Sequence, residues 1–322
     1  MTRKLIIFGN GLGMALDSDY FLLSRALEKV WDLDDFLSDE QKELIKACLD
    51  TDQCPRSEEE LDILHQVTAH CNSLKKLGRG CCGWLNQHGD DFPIATERYI
   101  HKTAIELYNY GGTLPREFVT PLTDFIKRTK SHVATLNYDK LLYQEFISSS
   151  VLEGYRGYLI DGIWASRGFQ EDNLVRKHSN NFGYYMHLHG SPLFFESGDK
   201  IYKERLPSLS LNMKNHGNHL VLTHVNHKRS VIQNSRLLSA YWYYLQLALH
   251  EASEIILFGY SGQDLHLNTM IKPHLANNTK IVKVIEWDDQ SDHRERNTYW
   301  NDALGGTVTL IRLENILSYS DW

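Results

Sequence analysis

The chain has 322 residues, 42% hydrophobic and 23% charged, with a formal net charge of -7 and an isoelectric point near 6.1. This length admits one large domain or two modest ones with a substantial core, and the composition excludes extended disorder. The acidic balance excludes a general pull towards nucleic acid or anionic membrane, so no direct nucleic-acid or membrane partner is expected.

The first element is a compact apolar run, Lys4 to Phe8, which ends at once in Gly9–Asn10–Gly11–Leu12–Gly13. A helical pattern follows from about Ser18 to Val30, so the start reads strand, glycine turn, helix. An apolar strand without alternation suits a parallel sheet covered on both faces. The same run is too short to cross a bilayer and carries no cleavage-site pattern. The five cysteines form no CxxC pair. They read as reduced thiols of a cytoplasmic protein, not as a disulfide framework or a cysteine zinc site.

Between residues 31 and 130 the pattern turns helical, over Asp34–Leu49, Ser57–Leu77, Pro93–Tyr110 and Pro115–Lys130. Ser38 with Gln41, and Ser57 with Glu60, fit capping boxes. We read residues 31–130 as a helical insertion into a nucleotide-binding domain formed by residues 1–30 and 131–322. The sheet resumes at His132–Leu136, which runs into Asn137–Tyr138–Asp139 and a helix over Lys140–Phe146. Residues 151–185 read as loops with short strands. A strand over Tyr184–Leu188 ends at His189–Gly190–Ser191, and a polar stretch runs from about Glu196 to Arg229. A helix is predicted over Leu237–Glu251, a strand over Glu254–Phe258, a helix over Leu265–Leu275 and a strand over Lys280–Ile285. Val308–Leu313 is a further candidate strand. The fold class is therefore α/β, a Rossmann-like parallel sheet with helices on both faces and a helical insertion. Ligands of such sheets bind beyond the carboxyl ends of the strands, where these small and polar clusters fall.

Singly, each cluster has an ordinary explanation. A glycine turn at a strand end lets a pyrophosphate approach the backbone, but it is also a tight turn that needs no ligand. Asn–Tyr–Asp is a common helix cap. A lone histidine is more often structural than catalytic, and His187 with His189 also fits a metal pair. In sequence, however, glycine turn, T-x-N-Y-D, H-x-H-G-S and G-Y-S-x-x-D-x-H-x-N resemble the succession in the sirtuin superfamily. The likeness is strongest to the sirtuin-like NAD-hydrolase domains of bacterial anti-phage defence systems, of the Thoeris and sirtuin–HerA types. It covers residues 4–22, 132–147, 184–192 and 254–288.

The resemblance implies NAD as substrate and no metal. It assigns the pyrophosphate to Gly9, Asn10 and Gly11, and catalysis to Asn137 and His189, with His187 a supporting or structural residue. It implies that Asp139 braces its loop, and that Gly259, Tyr260, Ser261, Asp264 and His266 line an adenosine loop. It places Glu286 at the adenosine ribose. The family usually has serine where this chain has Gly13, and the Asp-Phe-Arg loop of the deacylases is absent. Asp17, followed by Asp19, Tyr20 and Phe21, occupies that region and joins the cofactor-binding candidates. The zinc ribbon of the deacylases is also absent, since no cysteine follows Cys82. Water is then the expected acceptor of ADP-ribose.

Three other readings compete. A non-catalytic nucleotide sensor would need neither Asn137 nor His189. A metal enzyme would use His216, His219, His224 and His227, which lack a carboxylate at ligand spacing. Lys228 and Arg229 beside them would suit a phosphate. A dehydrogenase would need the full dinucleotide fingerprint with an acidic residue at the end of a second strand, and Glu28 lies on a helix instead. Four consecutive aromatics, Tyr241–Tyr244, cannot all face one core from a helix, which favours a homo-oligomer through this helix or the insertion. The likeness to defence proteins further implies a trigger, such as a HerA-type ATPase.

Overall fold

The structure is a computed structural model that describes residues 2–76, 87–177, 180–204, 219–222, 225–276 and 280–322. Strand β1 (Lys4–Phe8) leads into a one-turn helix α1 (Gly11–Met14), and α2 (Leu23–Trp31) begins only after a series of turns. The helix predicted from Ser18 to Val30 thus begins only at Leu23, and a separate short helix precedes it. Phe21 folds back at the break, and a Cβ on Gly13 would lie 2.6 Å from its ring.

Helices α3 (Asp39–Leu49), α4 (Glu58–Lys75), α5 (Gln87–Tyr108) and α6 (Arg116–Thr129) separate β1 from β2 (His132–Thr135). The Ser38 box is complete: its hydroxyl accepts from Gln41 N at 3.2 Å, and Gln41 Oε1 accepts from Ser38 N at 3.1 Å. The Ser57 box is half made, because the Glu60 carboxylate accepts from Arg56 N. Helix α5 begins six residues earlier than expected and carries Pro93 inside it. Buried residues of these helices, such as Ile45, Leu64 and Tyr99, belong to the same apolar cluster as the sheet.

The chain continues through α7 (Leu141–Ser148), β3 (Leu159–Ile160), β4 (Ile163–Trp164), β5 (Gly168–Phe169) and β6 (Gly183–His187). A hairpin of β7 (Phe194–Ser197) and β8 (Lys200–Lys203) follows, then α8 (Val225–Asn234) and α9 (Arg236–Glu251). The last elements are β9 (Glu254–Phe258), α10 (Leu265–Ala276), β10 (Ile281–Trp287), α11 (His293–Leu304) and β11 (Thr309–Leu313). Seven strands form one parallel sheet in the order β11-β10-β9-β1-β2-β6-β3. Successive residues of β1 and β9 point to opposite faces, and both sets are buried, so helices cover the sheet on both sides.

Helix α11 escapes sequence reading because it buries only Trp300 and Leu304, too thin an apolar stripe to register. In α9, three of the four consecutive aromatics are inside, and only Tyr243 is half exposed. They are accommodated because their polar tips find backbone acceptors. Tyr241 donates to Asp161 O at 2.8 Å and Trp242 to Leu188 O at 2.9 Å. Among the described residues, no helix is long and apolar enough to cross a membrane.

Candidate nucleotide-binding site

Five neighbouring strands, β6, β2, β1, β9 and β10, release their chains into a single cleft of about 1580 Å³. Adjacent strands lie about 4.8 Å apart, so the floor extends roughly 19 Å from the β6 end to the β10 end. That span suits an extended two-part ligand. Gly9, Asn10, Gly11, Asn137, Asp139, His189, Gly259, Tyr260, Ser261, Asp264 and Glu286 all line this cleft. Asp17 and His266 do not. Asp17 Oδ1 caps the turn at Tyr20 N at 3.0 Å, and the His266 ring packs 4.3 Å from Trp242.

At the centre, the two glycine turns nest. Gly11 N donates to Gly259 O at 2.8 Å, and Gly9 N donates to Phe258 O at 2.9 Å. A Cβ on Gly9 would lie 2.7 Å from Gly259 O, and one on Gly11 would lie 2.6 Å from Gly259 Cα. Gly259 itself sits at φ +59. No side chain fits between the turns, and at this point backbone alone faces the cleft. The Asn10 side chain turns outward and donates to Phe21 O at 3.0 Å.

Beside β1, Asn137 is buried at the end of β2. Its Nδ2 donates to Gly9 O at 3.1 Å, and its N–H donates to Thr135 Oγ1 at 3.1 Å. Its Oδ1 is buried and has no hydrogen-bond partner among the described residues. An unsatisfied buried acceptor is costly and marks a place where a donor belongs. Asp139 Oδ1 accepts from Leu141 N at 2.9 Å and ties the loop to α7. Burial pushes its carboxyl up to about 6, against the hydrogen bonds it accepts.

At the β6 end, His189 is buried with its Nε2 2.7 Å from Asp264 Oδ2. The same oxygen accepts from Lys228 Nζ at 3.1 Å. Asp264 Oδ1 accepts from His266 N and Leu267 N, both at 3.0 Å, so this residue also caps α10. Burial raises the Asp264 carboxyl, but the His189 hydrogen bond, the charges of His189 and Lys228 and the Leu267 N–H outweigh it. The carboxyl lies well below the ordinary range. For His189, burial and then Lys228 lower the imidazole against the pull of Asp264. Sequence position groups Asp264 with the adenosine loop, whereas its carboxylate meets the histidine. His187 is buried among Tyr143, Tyr185 and Phe194, and neither ring nitrogen has a hydrogen-bond partner among the described residues.

At the β10 end, Glu286 is already engaged. Arg296 donates to both its oxygens, at 3.0 and 2.6 Å. Trp300 Nε1 donates to Oε2 at 2.8 Å, and Arg312 Nε lies 3.3 Å from Oε1. Next to it, Trp287 lines the cleft yet is 63% exposed. Sequence reading passed over Trp287, although an aromatic that ends a strand at the carboxyl edge of the sheet is a readable signal. On the β9 loop, Tyr260 donates to Asn268 Oδ1 at 2.8 Å, and Ser261 O accepts from Tyr299 at 2.7 Å.

Of the four clustered histidines, His219 is described, and it is structural. Its Nδ1 lies 2.8 Å from Ser235 Oγ and its Nε2 3.0 Å from Glu196. His216, His224 and the side chain of His227 lie outside the described residues, as does that of Arg229. Among the described residues, no group of three or more His, Cys, Asp or Glu side chains is placed to hold a metal ion. Cys48, Cys54 and Cys71 are free thiols.

A parallel sheet with glycine turns and a polar cleft along its carboxyl edge defines a Rossmann-like nucleotide-binding protein. The chain belongs to the SIR2-like domain family, whose match covers residues 131–304. That family includes NAD-dependent enzymes. No curated protein matches the chain.

Proposed function

We propose that this protein is an NAD+ glycohydrolase, which cleaves the nicotinamide–ribose bond with water to give nicotinamide, ADP-ribose and a proton. The observation that carries the reading is the buried, unpartnered Oδ1 of Asn137 in the cleft that His189 also lines. Such an oxygen suits a ribose hydroxyl or the attacking water. The cleft fits the dinucleotide: backbone at Gly9, Gly11 and Gly259 accommodates the pyrophosphate, and the open Trp287 face suits the adenine.

Cleavage builds positive charge on the ribose, as in glycoside chemistry, and nicotinamide leaves neutral. No acid is therefore needed for departure. What the chain must supply is a held ribose, an oriented water and an acceptor for its proton. Asn137 orients by hydrogen bonding, and His189 accepts the proton. The place of this activity in anti-phage defence by NAD depletion, with homo-oligomers and a HerA-type ATPase as trigger, is proposed from the resemblance in the sequence.

The test is nicotinamide release from NAD by the purified protein, beside Asn137→Ala and His189→Ala, with and without candidate partners. Release by the wild type, lost in both variants, is the expected result. Tight NAD binding without release in every assembly would replace the enzyme with a sensor.

A further inference from the structure

Lysine is among the residues least often buried, and one held inside a cleft needs a partner and a reason. The Lys228 side chain is 5% exposed and lines the cleft floor. Its partner is Asp264 Oδ2, the same atom that meets His189 Nε2. Two ionisable groups, from α8 and from the end of β6, thus converge on one oxygen of a third in the β9–α10 connection. The hydrogen bond to a carboxylate by itself favours the doubly protonated imidazolium. An imidazolium cannot take a proton from water or a ribose hydroxyl.

Burial opposes this first, and the Lys228 charge adds to it. With lysine charged, carboxylate charged and imidazole neutral, the buried cluster sums to zero. Protonating the ring would leave a net positive charge away from water. Without the lysine, the carboxylate's charge would be uncompensated and would draw the proton onto the ring more strongly. The other charged groups that line this cleft include Glu58 and Glu59 of α4 and Asp139 after β2. The Tyr138 ring, 6.4 Å from that of His189, donates its phenol to Val221 O, and burial holds that phenol well above its ordinary value. His219 is committed to Ser235 and Glu196.

We propose that Lys228 is a positioning residue for His189, acting through the shared Asp264 oxygen to hold the carboxylate and keep the ring a neutral proton acceptor. The base role rests on the reaction proposed above, whereas the charge relationship stands on the geometry.

The experiment is an NMR titration of the His189 ring in the full-length protein, assigned with His189→Gln, for wild type, Lys228→Met and Lys228→Arg. Lys228→Met should move the ring midpoint upward by about one pH unit or more, as expected for removing a unit charge in a partly buried site. Lys228→Arg should restore it. Asp264→Asn keeps a good helix cap and should move the midpoint the other way. The acid limb of nicotinamide release should follow the ring in each variant. An unmoved midpoint in folded Lys228→Met, or Lys228→Arg behaving like Lys228→Met, overturns the proposal. Should Lys228→Met fail to fold, an unmoved midpoint in Asp264→Asn overturns it equally. A protein that releases no nicotinamide loses the glycohydrolase reading, while the ring titration still decides the role of Lys228.

Discussion

Asn137 donates through Nδ2 to the carbonyl oxygen of Gly9 at 3.1 Å, across 128 residues of sequence. This bond joins the β2 loop to the glycine turn of β1 and determines which end of the carboxamide is free. Because Nδ2 is spent on Gly9, Oδ1 is the end available for a ligand.

Asn137→Asp tests that orientation with almost no change of shape. A carboxylate has no N–H for Gly9 and sets acceptor against acceptor. Nicotinamide release should fall by about 100-fold or more, in the range seen for loss of one oriented catalytic group, with the circular dichroism spectrum retained. A folded variant within tenfold of wild type would remove Asn137 from the mechanism.

Trp287 should contribute to binding and not to stability, since 63% of it is exposed. Stacking of a base on an aromatic ring is worth about 1–3 kcal/mol by alanine substitution. Trp287→Ala should therefore weaken ADP-ribose, measured by calorimetry, by about tenfold or more, while nicotinamide mononucleotide, which lacks adenine, is unaffected. Equal weakening of both ligands would show that the tryptophan does not hold the adenine.

Gly13 stands where sirtuin-like chains usually have serine, and Phe21 accounts for the difference. A Cβ at this position would lie 2.6 Å from Phe21 Cγ and 2.7 Å from Cδ1. Phe21 is buried and packs against Tyr20 and Tyr110, with ring centroids 5.3 and 4.8 Å away. Gly13→Ser should cost about 1–3 kcal/mol in urea unfolding through overpacking. Adding Phe21→Leu should recover part of that loss, because the two substitutions share one space. Strict additivity would show that the contact does not set the choice of glycine.

Stability should fall on mild acidification. Burial lowers His187 to about 3 and His132 to about 4, from an ordinary 6.5. Below 6.5 the unfolded chain takes up these protons first, so the stability held by neutral histidines is complete above 6.5 and drains as pH falls towards 4 and 3. Asp139 acts in the opposite sense: raised to about 6 by burial, it removes stability as pH rises from 3.8 to 6. Two histidines outweigh one carboxyl, and the melting temperature should drop between pH 6.5 and 4. His187→Phe keeps an aromatic ring among Tyr143, Tyr185 and Phe194, removes two unpartnered nitrogens and should flatten that drop. A variant profile parallel to the wild type would place the proton uptake elsewhere.

The sequence displays the sheet well, because buried parallel strands are unbroken apolar runs and their ends are marked by Gly9, Asn137, His189 and Gly259. It also displays the Ser38 cap, which depends on residues three apart. It does not display the Asp264–His189–Lys228 convergence, since local sequence shows Asp264 only as a residue entering a helix and Lys228 only as part of a polar stretch. The same holds for Glu286, whose carboxylate reads as free until Arg296, Trp300 and Arg312 are folded around it. Helix α8, which carries Lys228, has too little apolar periodicity to be told from a loop.

The order of the strands bears on how this protein can be cut. The family match begins at residue 131, yet β1, from the first residues of the chain, is paired on one side with β9 and on the other with β2. A fragment trimmed to residues 131–304 would lack the middle plank of its own sheet. Strands β2 and β9, and β10 with the loss of β11, would then present bare edges, an invitation to stick to one another between molecules. The amino-terminal dozen residues are the keystone of the fold, and supplying them as a separate peptide is the natural way to mend such a fragment.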